Sequence, residues 1–259
     1  MLCFIPNFGS NFIGLLFLTA GNLILTHPYN IGRDTTIRDW LELGADVHPN
    51  KILLESIGQK VSVTYGEVHK FCRRLSQMFK EKGIGNNDRV ALLSNNSIEH
   101  LLIYFGVMYY GATICTIHVE MNSLMIKDIL KALDPELVIF EEGIGLDKDI
   151  NELNFPTYSL GFWSQKDRSG FMAKVWKCSS ESLKPINCAD DIASIFYTSG
   201  TTSDPKGILW KYRHLEENVA AVTSTFGICA TDRLLDYRSF NWASAQMLSA
   251  LGAICQGAT

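Results

Sequence analysis

The chain has 259 residues, 47% of them hydrophobic and 19% charged, which excludes disorder, collagen and coiled coil for the whole molecule and leaves room for one or two ordinary domains. Its 23 Lys and Arg against 27 Asp and Glu give a net charge of −4 and a pI near 5.9. That balance excludes a nucleic-acid or anionic-membrane surface, which needs clustered positive charge.

The seven cysteines are scattered, with no CxxC pair to seed a zinc or redox site. Such a set reads as reduced thiols in a cytoplasmic protein. His69 and Cys72 are three apart and could share a metal, but two ligands do not make a site, and neighbours on one helical stripe is the simpler reading.

Residues 1–32 form an apolar N-terminal extension, with Arg33 the first charged residue. Its densest stretch, Phe12 to Leu25, is 14 residues long, short of the ~20 that span a bilayer. It has the length of a signal-peptide core but lacks the basic n-region. A buried hairpin or helix, or translated upstream sequence, are the other readings. Membrane contact is expected, if anywhere, through residues 12–25 alone.

From Arg33 the pattern becomes regular. Thr64-Tyr65-Gly66-Glu67 is a capping box opening a helix with Val68, Phe71, Cys72, Leu75, Met78 and Phe79 on one face, closed at Gly83. Arg89 to Leu93 reads as a buried strand. Asn96-Ser97-Ile98-Glu99 opens a second helix whose stripe runs from Ile98 to Tyr109, with Gly111 at its end. Ala112 to Ile117 is a strand, Ile126 to Leu133 a third helical face stopped by Pro135, and Glu136 to Glu141 a strand again. Strands alternating with helices at this pace predict an α/β fold of βαβ units, a mostly parallel sheet covered by helices on both faces. Residues 142–190 lose periodicity and predict a long irregular connection with one or two short strands, Phe171 to Trp176 among them. Asp191 to Tyr197 resumes as a strand. The expected organisation is therefore 1–32 as the extension, 33–190 as a first α/β subdomain, and 191–259 as the start of a second.

The stretch from Ile195 to Trp210 stands apart. Between two β-type runs lies a segment rich in hydroxyls that also carries Lys206 and two glycines. Glycines let backbone N–H groups approach an anion, hydroxyls donate to its oxygens, and the Lys neutralises charge, a composition suited to polyphosphate. A Walker A loop would place Gly, Lys and Ser or Thr where this chain has Pro205, Lys206 and Gly207, and would open a helix. Ile208-Leu209-Trp210 favours a strand instead, so the expectation is a strand–loop–strand phosphate clamp over 197–207. A plain hairpin turn would need only two to five loop residues.

Tyr197-Thr198-Ser199-Gly200-Thr201-Thr202-x-x-Pro205-Lys206-Gly207 resembles the signature loop of the adenylate-forming enzymes: acyl-CoA synthetases, adenylation domains of peptide synthetases, and luciferases. Ser203 is the one departure, where the family usually has Gly. Thr64-Tyr65-Gly66-Glu67, Asp88 to Leu92, Asn95-Asn96-Ser97, Tyr110-Gly111-Ala112 and Asp190 to Ala193 follow the family's order and spacing, so the resemblance spans about residues 35 to 259. It implies part of a large N-terminal domain that adenylates a small-molecule carboxylic acid with ATP and Mg²⁺, then passes the acyl group to a thiol, coenzyme A, as an acid–thiol ligase. Carried over residue by residue, Thr198, Ser199, Gly200, Thr201, Thr202 and Lys206 would hold the β- and γ-phosphates, where charge accumulates as the α-phosphorus is attacked. Pro205 and Gly207 would set the loop's exit.

The family's aromatic or His element beside the acyl pocket should fall near Phe240-Asn241-Trp242. The usual Pro and His are absent and Asn241 stands near the His position; core packing of Phe240 and Trp242 is the alternative. The chain reaches Thr259 in the middle of a βα unit. The family's Tyr-Gly-x-Thr-Glu segment, ribose-binding Asp and C-terminal domain with its catalytic Lys are not in it, and no residue present matches that Lys. Residues 1–259 alone are therefore expected to be inactive, and poorly soluble or partner-dependent because an open sheet edge and apolar surface would be exposed. A non-catalytic phosphate-binding or interaction remnant is the alternative function.

Overall fold

The computed structural model describes residues 36–146, 150, 152–163, 168–198 and 206–259, with the backbone alone at Thr198. The apolar extension, including 12–25, lies outside the described residues. In chain order the elements are α1 (Ile37–Val47), β1 (Ile52–Ser56), β2 (Val61–Thr64), α2 (Tyr65–Glu81), β3 (Arg89–Leu93), α3 (Ile98–Tyr110), β4 (Thr113–Ile117), α4 (Ser123–Leu133) and β5 (Leu137–Phe140). There follow β6 (Thr157–Ser159), α5 (Gly170–Lys177), β7 (Ile192–Thr198), β8 (Lys206–Lys211) and α6 (Tyr212–Phe226). The last helix, α7, runs through Ala243–Ala245, a π-helical Gln246–Leu251 and Gly252–Gln256 in succession.

Six strands form one sheet in the order β6-β5-β3-β4-β7-β8, parallel except for β8, which returns antiparallel to β7. Strands β3, β4 and β5 are buried on both faces, and their side chains alternate between two cores. Val90, Leu92, Ile114, Leu137 and Ile139 meet α2, α3 and α6 on one face; Ala91, Leu93, Cys115, Ile117, Val138 and Phe140 meet α4 on the other. The α/β class with a mostly parallel, helix-covered sheet is as expected. The sheet turns back on itself: β3 leads through α3 to β4, and β4 returns through α4 to β5 on the far side of β3. The connections leaving β3 and β4 consequently part to opposite faces, the arrangement that opens a ligand crevice at the carboxyl ends of parallel strands.

The cap signals at Thr64 and Gly111 formed as expected, whereas α3 is capped by Ser97 and not by Asn96 with Glu99, whose carboxylate accepts from Gln59 Nε2 and Trp163 N–H. Thr64 and Glu67 close a reciprocal capping box, Ser97 Oγ accepts from His100 N–H, and Gly111 ends α3 at φ 107°, a backbone angle that favours glycine. Every residue of α3 is buried, and Leu75 of α2 lies so close to Gly106 that an added Cβ would sit 2.4 Å from its Cδ2. His69 Nε2 lies 3.2 Å from Tyr109 Oη and Cys72 is buried, so the pair belongs to the α2–α3 packing. Among the described residues no three His, Cys, Asp or Glu side chains gather in a way that could hold a metal.

The connection 142–190 differs from expectation. Phe171 to Trp176 is helical, within α5, and not a strand: Phe171, Met172 and Val175 share the buried face at helical spacing, and Met, Ala and Lys are good helix formers. The short strand of this connection is β6, at the sheet's edge.

The C-terminal segment docks on the β1–β2 hairpin and the start of α2. Tyr65 Oη donates to the carbonyls of Ala253 (3.1 Å) and Ala258 (2.7 Å), and Thr259 Oγ1 donates to Ile52 O at 2.8 Å. Thr259 N–H bonds Asp232 O and Leu234 N–H bonds Thr259 O, the pattern of a parallel bridge opposite Arg233. Lys51 Nζ donates to the carbonyls of Ala230 and, at 2.5 Å, Gly257, and burial lowers its pKa. Because one ammonium ties two separate carbonyls, Lys51→Met is expected to cost about 1.5–3 kcal/mol of unfolding free energy in a urea melt. An unchanged midpoint would show the clamp to be idle.

Glu216 of α6 carries the clearest pH dependence. Its Oε1 accepts from Ile37 N–H at 2.9 Å, at the first turn of α1. Burial, with Asp39 and Glu217 nearby, pushes its carboxyl up to about 7, against the pull of the Ile37 N–H. In the unfolded chain the group ionises near 4.5, so the folded state holds the proton longer. Stability from this residue is intact below pH 4.5 and falls as pH rises to about 7. Glu216→Gln keeps an acceptor for Ile37 and cannot ionise. Its melting curve is expected to match the parent's at pH 4 and to gain on the order of 1–3 kcal/mol by pH 8; a gain independent of pH would contradict the assignment.

Candidate functional site

The site lies along the carboxyl edge of the parallel strands. Strand β7 ends at Thr198, which pairs with Lys206, so the chain leaves the sheet after 198 and returns at Lys206 into β8. The strand–loop–strand form is as expected; the strands extend further into the segment than the sequence indicated, leaving 199–205 as the connection. Ser199, Gly200, Thr201 and Thr202 lie outside the described residues, and Thr198 is placed by its backbone alone. Lys206 is exposed and has no partner among the described residues. Gly207 admits a close approach: a Cβ there would meet Ile195 Cγ2 and Tyr197 Cζ at 3.3 Å each.

A polar network joins the ends of β3 and β4 to the segment before α7. Ser94 follows β3; its Oγ lies 2.8 Å from His100 Nδ1, and its carbonyl accepts from Asn241 Nδ2 at 3.0 Å. Asn96 donates to Arg238 O at 2.6 Å and accepts from Phe240 N–H at 2.8 Å. Gln246 Nε2 donates to Thr116 Oγ1 on β4 (2.8 Å) and to Phe240 O (2.5 Å). Asp236 accepts from Arg238 and from Ser249 Oγ, both at 2.5 Å to Oδ2; burial works against its charge, but these donors hold it below the usual carboxylate range. His100 is fully buried, and burial pushes its pKa down to about 4 against the opposing Phe240 carbonyl, so the ring is neutral near pH 7.

Phe240 packs on the main core, whereas Trp242 is 55% exposed, its ring 6.1 Å from that of His118 just beyond β4. The core reading thus fits Phe240 and not Trp242. His100, Gln246 and Thr116 are residues the sequence did not bring to the site. Each is one polar position in an apolar run, and nothing in the local pattern marks it.

The sequence model of the AMP-binding enzyme family matches residues 41–259. The chain belongs to this adenylate-forming family. It is 30% identical over 224 residues to the hybrid PKS-NRPS synthetase TAS1 of Gloeophyllum trabeum, covering 83% of this chain and 14% of that protein. It is 27% identical over 177 residues to the long-chain-fatty-acid–CoA ligase FadD13 of Mycobacterium tuberculosis, covering 68% of this chain and 35% of that protein. Among solved structures, VinN superposes with a TM-score of 0.75 at 20% identity, over 86% of this chain and 55% of that one. The chain thus spans well under two thirds of the length of these relatives. No helix among its described residues is long and apolar enough to cross a membrane.

Proposed function

We propose that this family member takes part in ATP-dependent adenylation of a small-molecule carboxylic acid, followed by transfer of the acyl group to a thiol, coenzyme A. Membership in the family carries the first step. The observation that supports its placement here is Lys206, exposed at the mouth of the β7–β8 connection on the edge where the β3 and β4 connections part. In this reading Lys206 neutralises the β- and γ-phosphates, with Thr198, Ser199, Gly200, Thr201 and Thr202 as donors around them. Charge grows on those phosphates as pyrophosphate leaves, so donors fixed there favour the transition state. Mg²⁺ would enter with the phosphates of ATP, as it does where it keeps most of its water ligands. The acid would lie towards Ser94, His118 and Asn241. VinN has been solved with L-aspartate, a carboxylate of the proposed size class. Coenzyme A as acceptor follows FadD13; the synthetase relatives make the acceptor the finer part of the proposal. The division at residue 190 into a first subdomain and the start of a second, with the clamp in the second, belongs to the same reading.

The test is exchange of labelled pyrophosphate into ATP by the chain, with and without added carboxylic acids. Acid-dependent exchange supports adenylation. ATP binding with no exchange for any acid would leave a nucleotide-phosphate-binding module, the non-catalytic alternative.

A further inference from the structure

The face made by α2, α5 and the residue before α5 runs against the sign of the whole chain. Lys70 and Arg74 lie one helical turn apart on α2, and with Arg168 they surround one ring: their charged ends stand 6.0, 4.6 and 3.7 Å from the centre of Trp176. Further along, Lys82 and Lys174 stand 4.8 and 5.1 Å from the centre of the Tyr158 ring. From Lys70 to Lys82 the stripe is about 18 Å long at the helical rise. None of these cations forms an ion pair among the described residues. Arg38, Arg89, Arg213, Arg233 and Arg238 each meet a carboxylate, whereas Arg73, Arg74 and Arg168 meet none. In all three the Nε is buried without an acceptor, which leaves its desolvation uncompensated. Burial and the neighbouring Arg74 lower the pKa of Arg168 against the pull of Glu67, a carboxylate already bound in the α2 capping box. The cations are held in place beforehand: Arg74 Nη1 donates to the carbonyls of Trp176 and Cys178, and Arg168 stacks on Trp176.

We propose that this face docks an extended acidic segment of a partner protein, with carboxylates at alternate residues meeting Lys70, Arg74 and Arg168 and continuing toward Lys82 and Lys174. Alternate side chains of an extended strand are about 6.6–6.8 Å apart, close to the rise of about 6 Å between Lys70 and Arg74. The Trp176 and Tyr158 rings already carry the chain's own cations, which makes them poor platforms for nucleic-acid bases. Phe162, exposed next to Trp163, adds an aromatic side chain of the kind enriched in protein interfaces. The stripe stands apart from the adenylation reading. Lys82 lines one cavity with Asp88 and Glu136, which precede β3 and β5, so the stripe ends at the opposite end of the sheet from Lys206.

The test is fluorescence anisotropy of the full chain with a labelled peptide that alternates Glu with Ser and is long enough to span the stripe. It is expected to bind with a Kd of about 0.1 mM or tighter at low salt, as several complementary charges acting together allow. The same peptide with Gln in place of Glu should bind at least about tenfold more weakly. Lys70→Gln combined with Arg168→Gln should weaken the Glu peptide by about tenfold or more, and Lys206→Ala should leave its affinity unchanged. Should the Arg168 variant fail to fold, Lys70→Gln with Lys174→Gln, both at exposed positions, decides with the same expected loss. No binding of the Glu peptide, equal binding of the Gln peptide, affinity that survives the substitutions, or affinity lost with Lys206→Ala overturns the proposal. Tighter binding of a labelled oligothymidylate of the same charge, itself lost with Lys70→Gln, overturns it too and makes the face a nucleic-acid surface.

Discussion

Lys206→Ala is expected to weaken MgATP binding by about tenfold to a hundredfold, the equivalent of one lost charge-assisted contact to phosphate. The side chain is exposed at the first residue of β8 and supports nothing in the core, so the melting temperature should not move. That separation makes the variant informative: a loss of affinity with an intact fold can only come from the ligand side. Lys206→Arg keeps the charge but broadens the head group, and should recover part of the affinity. Fluorescence or calorimetric titration would read both. Unchanged affinity in the alanine variant would remove Lys206 from the phosphate site.

Phe105→Ala is expected to cost about 3–5 kcal/mol in a denaturant melt. Phe105 is completely buried in the middle of α3, a helix that is itself buried along its whole length. A cavity there cannot collapse, because α2 and the sheet hold α3 from both sides and Leu75 already fills the space over Gly106. Because His100 lies in the first turn of α3 and bonds Ser94, the same substitution should loosen the polar network at the strand ends. Phe162→Ala, at a position 66% exposed, serves as the control and should change stability by less than about 0.5 kcal/mol. A small effect at Phe105 would mean that α3 is not the fixed centre of the fold.

The elements legible in the sequence are those whose boundaries are written in local chemistry. Thr64 with Glu67, Ser97, Gly111 and the Asp134-Pro135 stop each mark a helix end through a bond or a backbone angle that few residues supply. The buried strands β3, β4 and β5 were legible as short apolar runs between those ends. The β1–β2 hairpin was not, because its strands are four and five residues long with mixed burial and no clean alternation. Helix α1 carries a capping box of its own, Thr36 with Asp39, but Asp at the third position departs from the usual Glu or Gln and leaves a weaker sequence signal. Helix α5 reads as a strand because six residues rich in aromatic and branched side chains fit either period, and only packing of Phe171 and Val175 against the main core decides.

The candidate site divides in the same way. The β7–β8 segment is continuous in sequence, so composition and motif single it out. The network of Ser94, His100, Thr116, Asn241 and Gln246 is held by hydrogen bonds between residues as much as 147 positions apart, and no local pattern announces it. Its members become visible only when the parallel sheet brings the carboxyl ends of β3 and β4 together under α7.

The central claim is that the β7–β8 connection holds the polyphosphate of ATP. Phosphorus-31 NMR of MgATP titrated with the chain tests it directly. The β- and γ-phosphorus signals should shift or broaden more than the α signal, and Lys206→Ala should abolish most of that difference. Signals unchanged by the chain, or changed equally by the wild type and the alanine variant, would contradict it.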